Sequence, residues 1–263
     1  MNRFIFIFIF TISIGQVFAQ KKIEDIELKP KKDIELKIQG KDGTNGSGVA
    51  YDPILKRYYT AIAGNAGYPL DVFDRSGRFI ATNTCNADIR GLFYNPEYKT
   101  IECNTYENHD IMSFGFESNG KFKINYPKIE LTKLEATVPN ACLNFDILNK
   151  KYIAFDQAKM AVSRFSYTDG KKERDLRVRF QNNAENINYT SVVYIDIQDG
   201  AYGFLDFVKK QVILISPKTG SPLATIQLPS DALTNNAFRF AYANGQIFLY
   251  DVDKRSWTGY KIL

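Results

Sequence analysis

The 263-residue chain sets 34 Lys and Arg against 29 Asp and Glu, a formal net charge of +5 spread thinly along its length. So weak an excess is no footprint for nucleic acid. Twenty Phe and 16 Tyr against three Met and one Trp favour pleated, half-buried strands over helices.

At the start of the chain, Asn2 and Arg3 precede an apolar run from Phe4 to Gly15 that ends in Val17-Phe18-Ala19, the layout of an export signal cleaved after Ala19. The run falls well short of the roughly 20 residues that a spanning helix needs. The expectation is a secreted or periplasmic protein with no membrane span after signal cleavage, in which residues 20–32 lead into a single domain over 33–263. Next, Asp33 to Ile38 alternates as a strand and leads through Thr44-Asn45-Gly46 into Val49.

From there the chain repeats. An aromatic or Ile followed by Asp or Asn recurs at Tyr51-Asp52, Tyr94-Asn95, Phe145-Asp146 and Ile195-Asp196, with a shorter version at Tyr242-Ala243-Asn244. Seven residues beyond each of the first four cuts stands Tyr58, Ile101, Tyr152 or Tyr202, opening a run of strand formers. Turn glycines follow at Gly77, Gly120, Gly170 and Gly220, each 24 or 25 residues after its Asp or Asn. Each unit therefore reads as strand, Asp/Asn turn, strand, polar loop, strand, Gly turn, strand. The segments after the Gly turns are Phe79 to Thr82, Phe122 to Asn125 and Leu223 to Ile226.

A four-stranded unit of about 45 to 50 residues is the size of one β-propeller blade. The last unit supplies only three strands, and Asp33 to Ile38 is the missing fourth, which would close the ring and remove its edges. The reading is an all-β propeller of five blades of four antiparallel strands. A further strand over Ile23 to Leu28 would allow a sixth, partial blade.

The segments Gly48-Val49-Ala50-Tyr51-Asp52-Pro53 and Val72-Phe73-Asp74-Arg75-Ser76-Gly77-Arg78-Phe79-Ile80-Ala81-Thr82, with Arg90-Gly91-Leu92-Phe93-Tyr94-Asn95-Pro96 as the next copy, resemble repeats of the NHL and YVTN propeller families. Asp156, Asp206 and Asp251 match the Asp that closes the second strand of such repeats. The resemblance implies a propeller and leaves function open among binding scaffolds, lactonases and other roles.

Function in propellers usually sits on the face that carries the connections between blades and the loops between second and third strands. The inter-blade connections hold amides or an acid in every unit: Asn45, Asn86 with Asp88, Asn140, Asn188, and Asn235 with Asn236. A ring of such oxygens could hold a divalent cation such as calcium at the channel mouth, or meet sugar hydroxyls; each Asn is equally an ordinary turn residue. The second set of loops, with Asn65, Tyr68, Tyr106 to Asp110, Gln157 and Lys209, suits a protein or glycan partner. His109, the one histidine, reads as a general base, a ligand or a solvated loop residue.

No nucleophile elbow, phosphate loop or poly-His motif occurs. Asp52, Asp146 and Asp196 fall in the recurrent turn on the opposite face, where turn chemistry accounts for them. The favoured function is a non-enzymatic binding module acting through the loop-rich face. The alternatives are a metal-dependent hydrolase of lactonase type, whose ligands would be among Asp88, Asn140 and Asn188, and a structural accessory subunit. Cys85, Cys103 and Cys142 fit no zinc spacing and leave either one disulfide with a spare thiol or three buried thiols.

Overall fold

In a computed structural model, residues 21–40, 45–64, 69–106, 108–135, 138–180 and 184–263 are described. After a short 3-10 turn, Ile23–Asp25, comes strand β1 (Lys31–Lys37). Blade 1 follows as β2 (Asn45–Asp52), β3 (Arg57–Ala63), β4 (Pro69–Asp74) and β5 (Phe79–Thr84). Blade 2 is β6 (Ile89–Asn95), β7 (Thr100–Thr105), β8 (Ile111–Phe114) and β9 (Lys128–Leu131). Blade 3 is β10 (Asn144–Asp146), β11 (Lys151–Asp156), β12 (Ala161–Ser166) and β13 (Leu176–Arg177). Blade 4 is β14 (Val193–Ile195), β15 (Ala201–Asp206), β16 (Gln211–Ile215) and β17 (Pro222–Gln227), and the chain ends with β18 (Phe240–Ala243), β19 (Gln246–Asp251) and β20 (Ser256–Lys261).

Each blade is a four-stranded antiparallel sheet, and the fifth is completed as β18-β19-β20-β1. The N-terminal strand pairs with the last strand from Lys31↔Lys261 to Lys37↔Ser256, as the alternation of Asp33 to Ile38 predicts. First strands of successive blades pack side by side in the order β2, β6, β10, β14, β18 and back to β2, so they form the inner wall of a closed ring. The fold is a five-bladed β-propeller. No sixth blade forms, because the segment after Lys22 makes the 3-10 turn, buries Ile26 against blades 4 and 5, and contributes only single backbone bonds, Glu27 N–H to Ile262 C=O and Leu28 C=O from Gln227 N–H.

Blade-on-blade packing explains why the strands read as apolar runs. Both faces of an internal strand meet a neighbouring blade, so β15 and β19 are buried throughout. Five apolar clusters result, one at each seam between blades. Burial of a large side chain contributes about 1.5–3 kcal/mol, and Trp257, Phe73, Phe114, Phe155 and Phe204 lie fully buried within these seams.

The repeated tyrosines stitch the seams with hydrogen bonds. Tyr202 of blade 4 donates to Asp146 Oδ2 of blade 3 at 2.7 Å, and Tyr152 of blade 3 donates to Glu102 Oε2 of blade 2 at 3.2 Å. Tyr58 of blade 1 accepts from Asn244 Nδ2 at 2.8 Å and Gln246 Nε2 at 3.1 Å in blade 5. Ile101 and Ile247 hold the equivalent positions in blades 2 and 5 and use apolar contact alone.

Two local readings differ from the sequence pattern. In blade 2 the fourth strand is Lys128–Leu131 rather than Phe122 to Asn125, because Phe122 turns inward to stack on Phe114 at 5.4 Å and makes only a lone bridge to Phe116. All three cysteines are buried free thiols, which decides between the two cysteine readings. At the Gly turns, Gly220 has φ +71 and its absent side chain leaves room for the Arg177 carbonyl, so any other residue would be strained and would clash.

Candidate functional site

The channel has two mouths. At the upper mouth the inner strands begin and the blades connect; at the lower mouth the inner strands end. The sequence places function at the upper mouth, where Arg90 and Asp88 form a largely buried ion pair. Arg90, only 5% exposed, pairs through both terminal nitrogens with Asp88 and lies 4.8 Å from the Tyr106 ring centroid and 5.3 Å from that of Phe238. Tyr106 belongs to blade 2 and Phe238 precedes the inner strand of blade 5, so the guanidinium bridges blades separated by blade 1. Contact with two aromatic rings favours a desolvated guanidinium.

The predicted site residues are drawn into this framework. Asn188 is fully buried; its Nδ2 donates to the Asn235 and Phe238 carbonyls at 2.9 and 3.0 Å, and its Oδ1 accepts from Thr190 N, Thr190 Oγ1 and Ser191 N. Asn45 Oδ1 accepts from Arg239 Nη2 at 2.9 Å. Asn86 is exposed in left-handed backbone with φ +56, a conformation that Asn tolerates in turns. Asn140 is half-buried, with its backbone carbonyl near Cys142 Sγ, and Asn236 is exposed, with its carbonyl accepting from Tyr189 N.

Hydrogen bonding joins Asn188 with the Asn235–Asn236 segment at one seam, and among the described residues no hydrogen bond links these directly to Asn86, Asp88 or Asn140. His109 is 2% exposed rather than solvated: its Nδ1 lies 3.3 Å from Asn104 Nδ2, and burial lowers its pKa, with Asp110 opposing and Arg90 reinforcing that shift. Asn65, Tyr68 and Glu107 lie outside the described residues. Among those described, no group of three His, Cys, Asp or Glu side chains is placed to hold a metal ion.

The open cavity is at the lower mouth. It measures about 540 Å³, and each blade brings to it residues from the end of its inner strand: Tyr51, Tyr94, Asn144 with Phe145, Tyr194, and Tyr242 with Asn244. The size suits a small ligand or an inserted side chain. Burial raises the pKa of Tyr51, Tyr94, Tyr194 and Tyr242, so all four phenols stay protonated donors at neutral pH.

One acid lines this cavity, Asp196. The turns that follow the inner strands explain its role. Asp52 Oδ1 accepts from the amides of Ile54 and Leu55, Asn95 Oδ1 from Glu97 and Tyr98, and Asp146 Oδ1 from Asn149, as turn chemistry predicts. Blade 4 differs. Asp199 and Gly200 supply the left-handed residues, with φ +67 each, and Gly200 N–H closes the turn on the Ile197 carbonyl. The Asp196 carboxylate is thereby released from turn duty. It meets no hydrogen-bond donor and no cation among the described residues, remains accessible to solvent, and has its pKa raised by the surrounding walls.

Sequence reasoning uses the aromatic residues of each cut only to mark the repeat. The signal for the cavity lies in the same pattern, since a residue recurring at the end of every inner strand must point around one axis. The Asp199-Gly200 pair is the signal that separates Asp196 from the other turn acids.

No protein-family model and no curated protein sequence matches the chain. Solved structures do. A glutaminyl cyclase of Myxococcus xanthus superposes with a TM-score of 0.60 at 13% identity, covering 89% of this chain and 96% of that one. A structural-genomics protein of unknown function from Bacteroides thetaiotaomicron gives 0.52 at 14% identity over 83% of this chain and 59% of that one. Likeness at this identity establishes the propeller fold and nothing narrower.

Proposed function

We propose that this chain is an exported, non-enzymatic binding propeller that takes a group of a protein or glycan partner into the lower mouth of its channel. The observation that carries the reading is the setting of the cavity. Around its tyrosine wall, the turns after the inner strands of blades 1, 2 and 3 expose Ile54 and Leu55, Tyr98, and Leu148. Apolar side chains crowning a concave aromatic site are the arrangement of a contact surface with a central anchor pocket. The partner-facing surface is thus assigned to the face opposite the one favoured by the sequence.

The test is retention of partners from a peptide library and a glycan array by the wild-type protein, Tyr94→Ala and Leu148→Asp. Ligands retained by wild type and lost by both variants support the reading. Retention unchanged in both overturns it.

Asp196 favours a second reading, proton transfer to a bound substrate, since a carboxyl with a raised pKa in a cavity is a catalytic candidate. The fold shared with the M. xanthus glutaminyl cyclase makes a peptide with N-terminal glutamine the first substrate to assay. Ammonia release by wild type and not by Asp196→Asn would favour that reading. The metal-dependent hydrolase is tested separately: calcium at about millimolar concentration raises the melting temperature if the upper-mouth amides hold a cation.

A further inference from the structure

We infer that the group admitted at the lower mouth is a primary ammonium on an aliphatic stem, as a lysine side chain of a protein partner presents. The inference rests on the cavity being the binding site and adds the chemistry of what enters it. Three observations converge. Asp196 is a carboxylate without a cation or hydrogen-bond donor among the described residues, although it lines a cavity of about 540 Å³. Aromatic rings from four blades surround the same space: Tyr51, Tyr94, Phe145, and Tyr194, with Tyr242 from the fifth. A second acceptor stands beside the carboxylate, because Asn244 uses its Nδ2 on Tyr58 and leaves its Oδ1 open, while the tyrosine hydroxyls can each donate or accept.

Asp196 is solvent-accessible and has no counter-charge among the described residues, so a cationic ligand meets its carboxylate without displacing a protein partner. A cation gains twice, from the carboxylate and from the ring faces. The aliphatic stem covers the apolar part of the wall formed by Phe93, Phe145 and Ile147. A quaternary ammonium would leave both acceptors without a donor, and a neutral alcohol would leave Asp196 uncompensated. Lys21, the basic side chain on the wall, is exposed and does not pair with Asp196, so the acid stays available.

The experiment is calorimetric titration of the full propeller with Nα-acetyl-lysine amide, its uncharged isostere Nα-acetyl-norleucine amide, and glucosamine. We expect saturable binding of the lysine amide, at least tenfold weaker binding of the norleucine amide, and at least tenfold loss of lysine-amide affinity in Asp196→Asn. The melting curve of that variant checks that it folds, and Tyr94→Phe, which keeps the ring, retains binding. Equal affinity for the lysine and norleucine compounds overturns the inference, as does unchanged affinity in Asp196→Asn, or glucosamine binding without lysine-amide binding. If library ligands lost in Tyr94→Ala are found while the lysine amide does not bind, the inference fails and the binding reading stands. If nothing binds at the cavity, both fail.

Discussion

Tyr202 Oη donates to Asp146 Oδ2 across the seam between blades 3 and 4 at 2.7 Å, joining the conserved-spacing residue of one repeat unit to the turn acid of the unit before it. Asp146 is fully buried, and its other bonds, from Asn149 N and Nδ2, lie within its own turn. Tyr202→Phe removes this bond and leaves the other bonds across the seam, such as Tyr194 N to Asn144 Oδ1 at 3.4 Å and Cys142 N to Thr190 C=O at 2.8 Å. A hydrogen bond to a buried carboxylate contributes about 1.5–3 kcal/mol. Urea unfolding of Tyr202→Phe should show that loss as a lower midpoint with an unchanged slope.

Glu102 is the most pH-sensitive element of the seams. Burial raises its pKa from 4.5 to about 7, against the hydrogen bonds from Asn95 and Tyr152 that lower it. The folded state therefore keeps its proton where the unfolded chain has lost it. Stability from this site is full below about pH 4.5, declines as pH rises towards 7, and is level above that, a span of about 3 kcal/mol. Glu102→Gln should be the more stable protein at pH 8, with the difference from wild type shrinking on acidification. A stability difference independent of pH would contradict this.

Arg90 is buried at the upper mouth and paired to Asp88. Arg90→Ala leaves the acid alone, at an expected cost of about 2–3 kcal/mol, below the range for a fully buried pair because Asp88 is partly exposed. A double-mutant cycle with Asp88→Asn measures the coupling, and additive effects would show that the pair does not contribute to stability.

Ring closure depends on β1, whose Leu36 is fully buried and pairs with Trp257. Leu36→Ala should cost about 2–5 kcal/mol. Deletion of residues before 39 should expose the edge of β20 and abolish a cooperative melt, and a synthetic peptide spanning Lys21 to Gln39 should restore it.

The three thiols should be silent to a water-soluble thiol reagent until the chain unfolds. Burial raises all three, Cys85 to about 12, which removes the reactive thiolate as well as access. Titration in native buffer and in denaturant separates the two states: no reaction in the first and three equivalents in the second.

The sequence by itself determined the repeat and the strand that closes the ring, and left open a sixth, partial blade beside the five. Those features are written in local spacing: strand formers six residues past Asp52, Asn95, Asp146 and Asp196, a turn glycine later, and one strand short at the end. Turn and strand chemistry acts over a few residues, so a linear reading captures it. What only the tertiary structure decided is how equivalent positions from different blades meet. Tyr58, Tyr152 and Tyr202 look alike in the chain, and each finds a different partner across its seam. His109 sits in a polar stretch yet is buried beside Asn104.

The open cavity lies at the lower mouth rather than among the inter-blade amides for the same reason. An inter-blade Asn such as Asn188 is consumed by the seam it crosses, whereas the ends of five inner strands converge on one axis and leave a cavity between them. Convergence of that kind is set by ring closure, which no single repeat contains.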